Sequence, residues 1–263
     1  MKSLKKYDDK RSKVCNIGEA TIKEKSMQPL YKRILIKLSG EGLMGDRAFG
    51  MSPEVLKKIA LDIKAVYDLG VQVCIVVGGG NIFRGAKEAS EGINRSVADQ
   101  VGMLGTVMNA LYMQDALEKE NVPVRVMSGL NVPQVCEPYM YRKALKHLAR
   151  GRVIIFAGGT GSPYFTTDTA AALRASEMQC DALLKATQVD GVYAADPKKH
   201  PDAERFDHIS YQRVLKENLK VMDMAAFALL DESNIPTVVF KLAGVDAFLN
   251  AVCGKGKFTI VQN

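Results

Sequence analysis

The residues best suited to chemistry lie in one stretch, Phe156-Ala157-Gly158-Gly159-Thr160-Gly161-Ser162-Pro163-Tyr164-Phe165-Thr166-Thr167-Asp168-Thr169. An apolar run, Val153 to Phe156, leads into it, and an alanine-rich run, Ala170 to Ala175, leaves it. That is the order of a strand, a glycine loop and a helix start. Glycines let a backbone approach a ligand closely, and the first N–H groups of a helix have no partner inside it. The helix dipole adds positive potential at the same point, so an anion fits there. Thr160, Ser162, Thr166 and Thr167 add hydroxyl donors, and Asp168 can face a phosphate-bound metal. A plain β-to-α turn capped by Thr167 would use the same residue types. Other stretches of the chain favour the phosphate reading.

Three of these also follow apolar, strand-like runs. Arg33 to Leu38 carries Lys37 near its end and runs into Ser39-Gly40. Val71 to Val77 ends in Gly78-Gly79-Gly80-Asn81-Ile82-Phe83-Arg84-Gly85. Ala182 to Lys185 continues into Ala186-Thr187-Gln188-Val189-Asp190-Gly191-Val192-Tyr193-Ala194-Ala195-Asp196-Pro197. Parallel α/β sheets bind ligands at the carboxyl ends of their strands, where these loops would converge. Lys37 would put a compact positive charge on phosphate there. Two sets of anion donors imply two phosphate-bearing ligands, and so phosphoryl transfer, which needs positioning and charge neutralisation more than a covalent nucleophile.

Competing motifs fail on context. Gly40-Glu41-Gly42-Leu43-Met44-Gly45 is a literal GxGxxG, but the helix signal waits until Ser52 and the next strand ends in glycines rather than an acid. A dinucleotide site needs both features. The sequence contains no GxxxxGK[ST], and His147, His200 and His208 lie outside the glycine loops without metal-ligand spacing.

Around these loops the chain alternates strands and helices. Ser52-Pro53-Glu54 opens a helix with a hydroxyl cap and proline in the first turn, and Gly70 closes it. Helical patterns also span about Ser96–Glu120, Tyr139–Ala149, Ser210–Asn218, Met224–Ser233 and Val245–Val252, with further strands at Val122–Met127, Arg152–Ala157, Thr237–Phe240 and Phe258–Val261. This predicts an α/β fold, a three-layer α/β/α sandwich with a mainly parallel central sheet. Residues 1–29 show no periodicity and read as a disordered extension; 30–263 read as one domain with two lobes. The formal charge is +7, but residues 1–30 hold eight Lys/Arg against four Asp/Glu, so the body is nearly balanced. Charge therefore gives no indication of nucleic-acid binding. Five scattered cysteines without CxxC spacing, no apolar leader and no membrane-length apolar run fit a cytoplasmic protein.

From about Tyr31 to the C-terminus the chain resembles the bacterial uridylate (UMP) kinases of the amino-acid kinase family. The resemblance rests on Lys37-Leu38-Ser39-Gly40, the Gly78 to Gly85 loop, Thr160 to Asp168, Lys185 to Tyr193 with Asp196-Pro197, and Lys220-Val221-Met222-Asp223, in that order. It implies transfer of the ATP γ-phosphate to UMP with Mg²⁺ carried mainly by the nucleotide phosphates. The implied catalytic residues are Lys37 and Asp168, with Lys185 and Asp223 as further candidates. Lys37, Leu38, Ser39, Gly40, Gly80 and Arg84 would hold ATP phosphates, and Thr187, Tyr193 and Asp196 the adenosine. Gly79, Asp99, Thr160, Gly161, Ser162, Pro163, Tyr164, Phe165, Thr166 and Thr167 would hold UMP. The acceptor lobe would be about 30–178 and the ATP lobe about 179–263. The family also implies a homohexamer, inhibited by UTP and often activated by GTP. Where activated relatives place basic residues, this chain has Gln114 and Glu118, while retaining Arg125 and Arg152. The alternatives are another phosphotransferase of the family with a different acceptor, or a nucleotide-binding regulator without turnover.

Overall fold

The computed structural model describes residues 27–83, 92–219, 221–242, 244 and 246–263; most of the expected N-terminal extension, Arg84, Gly85 and Lys220 lie outside the described residues. A nine-stranded sheet runs through the molecule. Its spatial order is β4 (Glu137–Pro138), β3 (Val124–Ser128), β5 (Val153–Ala157), β2 (Gln72–Val77), β1 (Arg33–Leu38), β6 (Ala182–Thr187), β10 (Thr237–Lys241), β11 (Phe258–Val261) and β9 (His208–Ile209). Neighbours are parallel except β10 and β11. A short antiparallel pair, β7 (Val192–Tyr193) and β8 (Arg205–Phe206), stands apart.

The helices are α1 (Pro53–Asp68), α2 (Arg95–Lys119), α3 (Tyr141–Ala149), α4 (Thr167–Glu177), α5 (Tyr211–Lys216), α6 (Met224–Glu232) and α7 (Ala247–Val252). Strand alternation divides them into two layers. In β1, Ile34, Ile36 and Leu38 pack with α1, α2 and α7, through Ile59, Ile63, Met113, Leu117 and Phe248. Leu35 faces the other side, among Ala171 and Ala175 of α4, Tyr211 of α5 and Phe227 of α6. Each aliphatic side chain so buried contributes roughly 1.5–3 kcal/mol. The strands are apolar on both faces because both faces are covered, as in parallel sheets generally.

Helix α1 begins where its signals place it. Ser52 accepts the Val55 N–H at 3.3 Å, Pro53 occupies the first position, and Gly70 takes a left-handed φ of +82° just beyond the end. Several boundaries differ from the sequence reading by one or two residues, and two of these have a clear cause. The helix expected from Tyr139 begins at Tyr141, because Pro138 holds the preceding Glu137 extended and the pair adds an edge strand to β3. The cap of α4 is Thr166 rather than Thr167: its extended backbone lets the hydroxyl accept from Asp168 N at 3.0 Å and Thr169 N at 3.4 Å.

The chain moves outward from β1 in one direction through β2, then crosses back to place β6 on the other side. Strand order thus reverses at β1, and ligands bind α/β sheets at such a reversal. Among the described residues no helix is long and apolar enough to cross a membrane.

Candidate active site

The site is laid out by register. Along one row of the sheet, Met127 pairs with Phe156, Phe156 with Val76, Val76 with Lys37, Lys37 with Lys185 and Lys185 with Val239. Adjacent strands lie about 4.8 Å apart, so two lysines stand side by side on the face that α4 covers. Both are buried, at 8% exposure each. Two such cations would repel strongly, and Asp168 in the first turn of α4 sits between them. Its Oδ1 lies 2.8 Å from Lys37 Nζ and its Oδ2 2.7 Å from Lys185 Nζ. The Lys185 contact is a hydrogen bond, and the Lys37 contact an ion pair.

Burial alone would raise the Asp168 pKa, but the charges of Lys37 and Lys185 outweigh it and hold the carboxyl below its ordinary value. For Lys185 burial wins, lowering its pKa despite the pull of Asp168. The trio carries one net positive charge at the end of two strands, beside the α4 N-terminus. That arrangement can hold and neutralise phosphate.

Asp223 joins a second helix to this one. It caps α6 by accepting the Ala226 N–H at 2.8 Å, and it also accepts the hydroxyl hydrogens of Thr166 and, at 2.9 Å, Thr169. One carboxylate therefore faces two helix N-termini.

The glycine loops pack backbone to backbone. A Cβ on Gly40 would lie 2.4 Å from Asn81 Oδ1, 2.8 Å from Gly80 N and 2.9 Å from Gly78 O, so the loops after β1 and β2 touch only because residue 40 has no side chain. Gly158, at φ +71°, presses in the same way on the loop after β3, where a Cβ would lie 2.7 Å from Ser128 Oγ. Asp99 on α2 accepts Arg95 Nε at 2.8 Å and the Tyr164 N–H at 2.8 Å, tying the helix to the Pro163-Tyr164-Phe165 turn. Tyr164 holds a left-handed φ of +70°, an uncommon state for a bulky residue. Thr160 closes its own turn with Ser162, donating to the Ser162 carbonyl and accepting its N–H, each at 3.2 Å. Gly161 packs on Gly129, whose carbonyl would lie 2.8 Å from an added Cβ.

Beyond β6 a cleft of about 630 Å³ opens, bounded by Lys185, Thr187, Tyr193, Asp196, Leu219 and Val239. The Thr187 hydroxyl accepts the Val189 N–H at 3.0 Å, the Tyr193 hydroxyl donates to Asp190 at 2.5 Å, and Asp196 accepts the Lys198 N–H at 3.0 Å. A smaller pocket of about 270 Å³ touches Asp168 and shares Asn218, Leu219 and Val221 with the cleft.

The sequence of residues 32–241 matches the model of the amino acid kinase family. The chain belongs to the amino acid kinase family. Among members of this family, it is 58% identical over 233 residues to a uridylate kinase of Paramagnetospirillum magneticum, covering 89% of this chain and 97% of the relative. It is 54% identical to a uridylate kinase of Ehrlichia canis, covering 89% and 96%. The crystal structure of UMP kinase from Bacillus anthracis superposes with a TM-score of 0.86 at 40% identity, covering 89% and 97%. The amino acid kinase fold expected from the sequence is therefore the fold found.

Of the site residues read from the sequence of this family member, Lys37, Asp168 and Lys185 meet directly, and Asp223 reaches them through Thr166 and Thr169. Arg84 lies outside the described residues. The sequence reading passed over Asn81, Thr106 and Asn109. Asn81 stands within a quoted motif, and Thr106 and Asn109 lie three apart on α2. With apolar residues all round that helix, their inward facing left no pattern to read.

Proposed function

We infer that this chain is a uridylate kinase, transferring the γ-phosphoryl group of ATP to UMP to give UDP and ADP. The observation that carries this is the Lys37–Asp168–Lys185 trio at the meeting of the glycine loops, in a chain that is 52% or more identical to several uridylate kinases. On this reading the loops after β1, β2 and β5 bring two phosphates together beside Lys37, with the Thr160 to Thr167 turn and Asp99 on the UMP side. The cleft around Thr187, Tyr193 and Asp196 supports an adenosine site, and on this reading the acceptor half is about 30–178 and the ATP half about 179–263. Lys37 and Lys185 neutralise charge on the transferring group; Asp168 fixes both ammonium groups in place.

The donor set suits Mg²⁺ carried by ATP. Two carboxylates stand at the phosphate-facing loops, Asp168 in the first turn of α4 and Asp223 at the start of α6. Such an ion takes one or two carboxylates together with substrate phosphates, and when bound it neutralises phosphate charge. UTP inhibition follows from the same reading, since loops that admit a uridine 5′-phosphate also admit the triphosphate. Gln114 and Glu118 are hydrogen-bonded to each other at 3.0 Å, so an effector triphosphate would meet an amide and a carboxylate there, which counts against GTP activation. Assembly into a homohexamer is supported by a stripe of exposed apolar residues along α2, Val97, Val101, Leu104, Met108 and Tyr112, beside a groove of about 850 Å³. A cytoplasmic setting is supported by four free cysteines, three of them buried, among the described residues.

The deciding experiment is a coupled assay of ADP formation with UMP, CMP, aspartate, glutamate and carbamate offered side by side. UMP-dependent turnover exceeding the others is expected. Preference for a carboxylate or carbamate would move the chain to another branch of its family, and binding of ATP without any turnover would make it a regulator.

A further inference from the structure

Helix α2 touches the ligand loops at successive turns of one face. Asp99 holds Tyr164 N in the loop after β5. Gly102 and Gly105 let Gly79 lie against the helix backbone: a Cβ on Gly79 would sit 2.6 Å from Gly102 O and 3.1 Å from Thr106 N. The Thr106 hydroxyl accepts the Gly158 N–H at 2.8 Å while donating to Met103 O at 2.7 Å. Asn109 donates to Gly78 O and to Asn81 Oδ1, each at 2.6 Å, and accepts from Asn81 Nδ2 at 3.1 Å. Asn81 Nδ2 also reaches Gly50 O at 2.9 Å. From 99 to 109 the helix rises about 15 Å, and over that length it engages the loops after β2 and β5, and through Asn81 the loop after β1.

Thr106 and Asn109 are almost wholly buried, at 2% and 0% exposure, among apolar neighbours. A buried polar group is costly unless paired, and an apolar residue at either place would leave the Gly158 N–H or the Gly78 carbonyl without its partner. What the polar side chains add is a fixed height and angle for two glycine loops whose own residues lack side chains to anchor them. A main-chain loop that must meet a phosphate within a fraction of an ångström needs such a support.

We propose that Thr106 and Asn109 are positioning residues, with Thr106 setting the acceptor loop through Gly158 and Asn109 setting the Gly78–Asn81 loop that faces both nucleotides. The proposal rests on the uridylate kinase reading. It differs from a packing role in separating the two substrates. Loss of the Thr106 hydroxyl disturbs the loop after β5 alone, so UMP binding suffers while ATP binding does not.

The test compares the full chain with Thr106→Val, which keeps the shape and loses the hydroxyl, and Thr106→Ser, which keeps the hydroxyl. In steady-state assays the valine variant is expected to raise KM for UMP roughly ten-fold, the scale of one buried hydrogen bond left unmade, with KM for ATP within about two-fold of the parent. The serine variant should recover most of the UMP affinity. Should the valine variant give no folded protein, Thr106→Ala is read the same way, as the dissociation constant for UMP in titration calorimetry. Equal changes in both constants, or a lowered melting temperature with neither constant moved, would overturn the proposal while leaving the kinase reading intact. If the parent chain itself shows no UMP-dependent turnover, the kinase reading fails, and this inference with it.

Discussion

Lys37 and Lys185 are register partners on adjacent parallel strands, and both bind Asp168, at 2.8 and 2.7 Å. Two buried ammonium groups at one row of a sheet are tolerable only with an anion between them. On the proposed function, phosphate oxygens would share that role in turnover.

Lys37→Ala should lower kcat by roughly 10²–10³, the scale seen on deleting one donor to a transition-state charge. The measurement is UDP formation at saturating ATP and UMP. Turnover near that of the parent would remove Lys37 from the reaction centre.

Asp168→Asn should cost stability as well as rate, because it leaves two buried cations unneutralised; about 3 kcal/mol is the scale for breaking a buried pair. The carboxyl has a depressed pKa in the folded protein, so its contribution is complete above the ordinary carboxylate range and is lost as pH falls through the lower, folded value. Acid unfolding below about pH 4 should therefore lose part of its steepness in the variant. Identical acid limbs in denaturant melts would show that Asp168 is not held ionised by the lysines.

Gly40→Ala adds a methyl group within 2.9 Å of three loop atoms, two of them backbone. Overpacking of this kind costs roughly 1–3 kcal/mol. Since the atoms displaced belong to the loops proposed to hold phosphate, KM for ATP should rise along with the loss of melting temperature. An alanine variant with parental affinity would mean that these loops do not approach phosphate.

Asp99→Ala should mainly raise KM for UMP, with kcat changed less, the pattern of lost ground-state binding. The loss would have two sources, the proposed contact with UMP and the anchor for Tyr164 N. A fall in kcat at constant KM would contradict the assignment to the acceptor side.

Leu104→Glu with Met108→Glu places two charges on the exposed stripe of α2 without touching its buried face. Light scattering should then report a smaller species than the parent chain. An unchanged mass would locate self-association elsewhere.

Much of this was legible in one dimension. Period and punctuation mark α1, from Ser52-Pro53 to Gly70, because capping and left-handed turns depend on neighbours in the chain. Unbroken apolar runs mark strands covered on both faces, and glycine clusters after them mark where a ligand approaches backbone. Hence Lys37, Asp168 and the three loops could be singled out before any fold was known. What only the tertiary structure decided is which of these meet. The sequence separates Lys37 from Lys185 by more than half the chain; strand order and register put them shoulder to shoulder, and Asp168 between them follows from where α4 lies. Asp223 is singled out in sequence only by the resemblance; that it caps α6 and also binds Thr166 and Thr169 is seen only in the fold. Thr106 and Asn109 carry no local signal, since a helix that is apolar on both its buried face and its exposed stripe has no periodicity to say which polar residues face inward. Local geometry is written in neighbouring residues; long-range pairing is settled by the sheet, whose register the whole core must agree on at once.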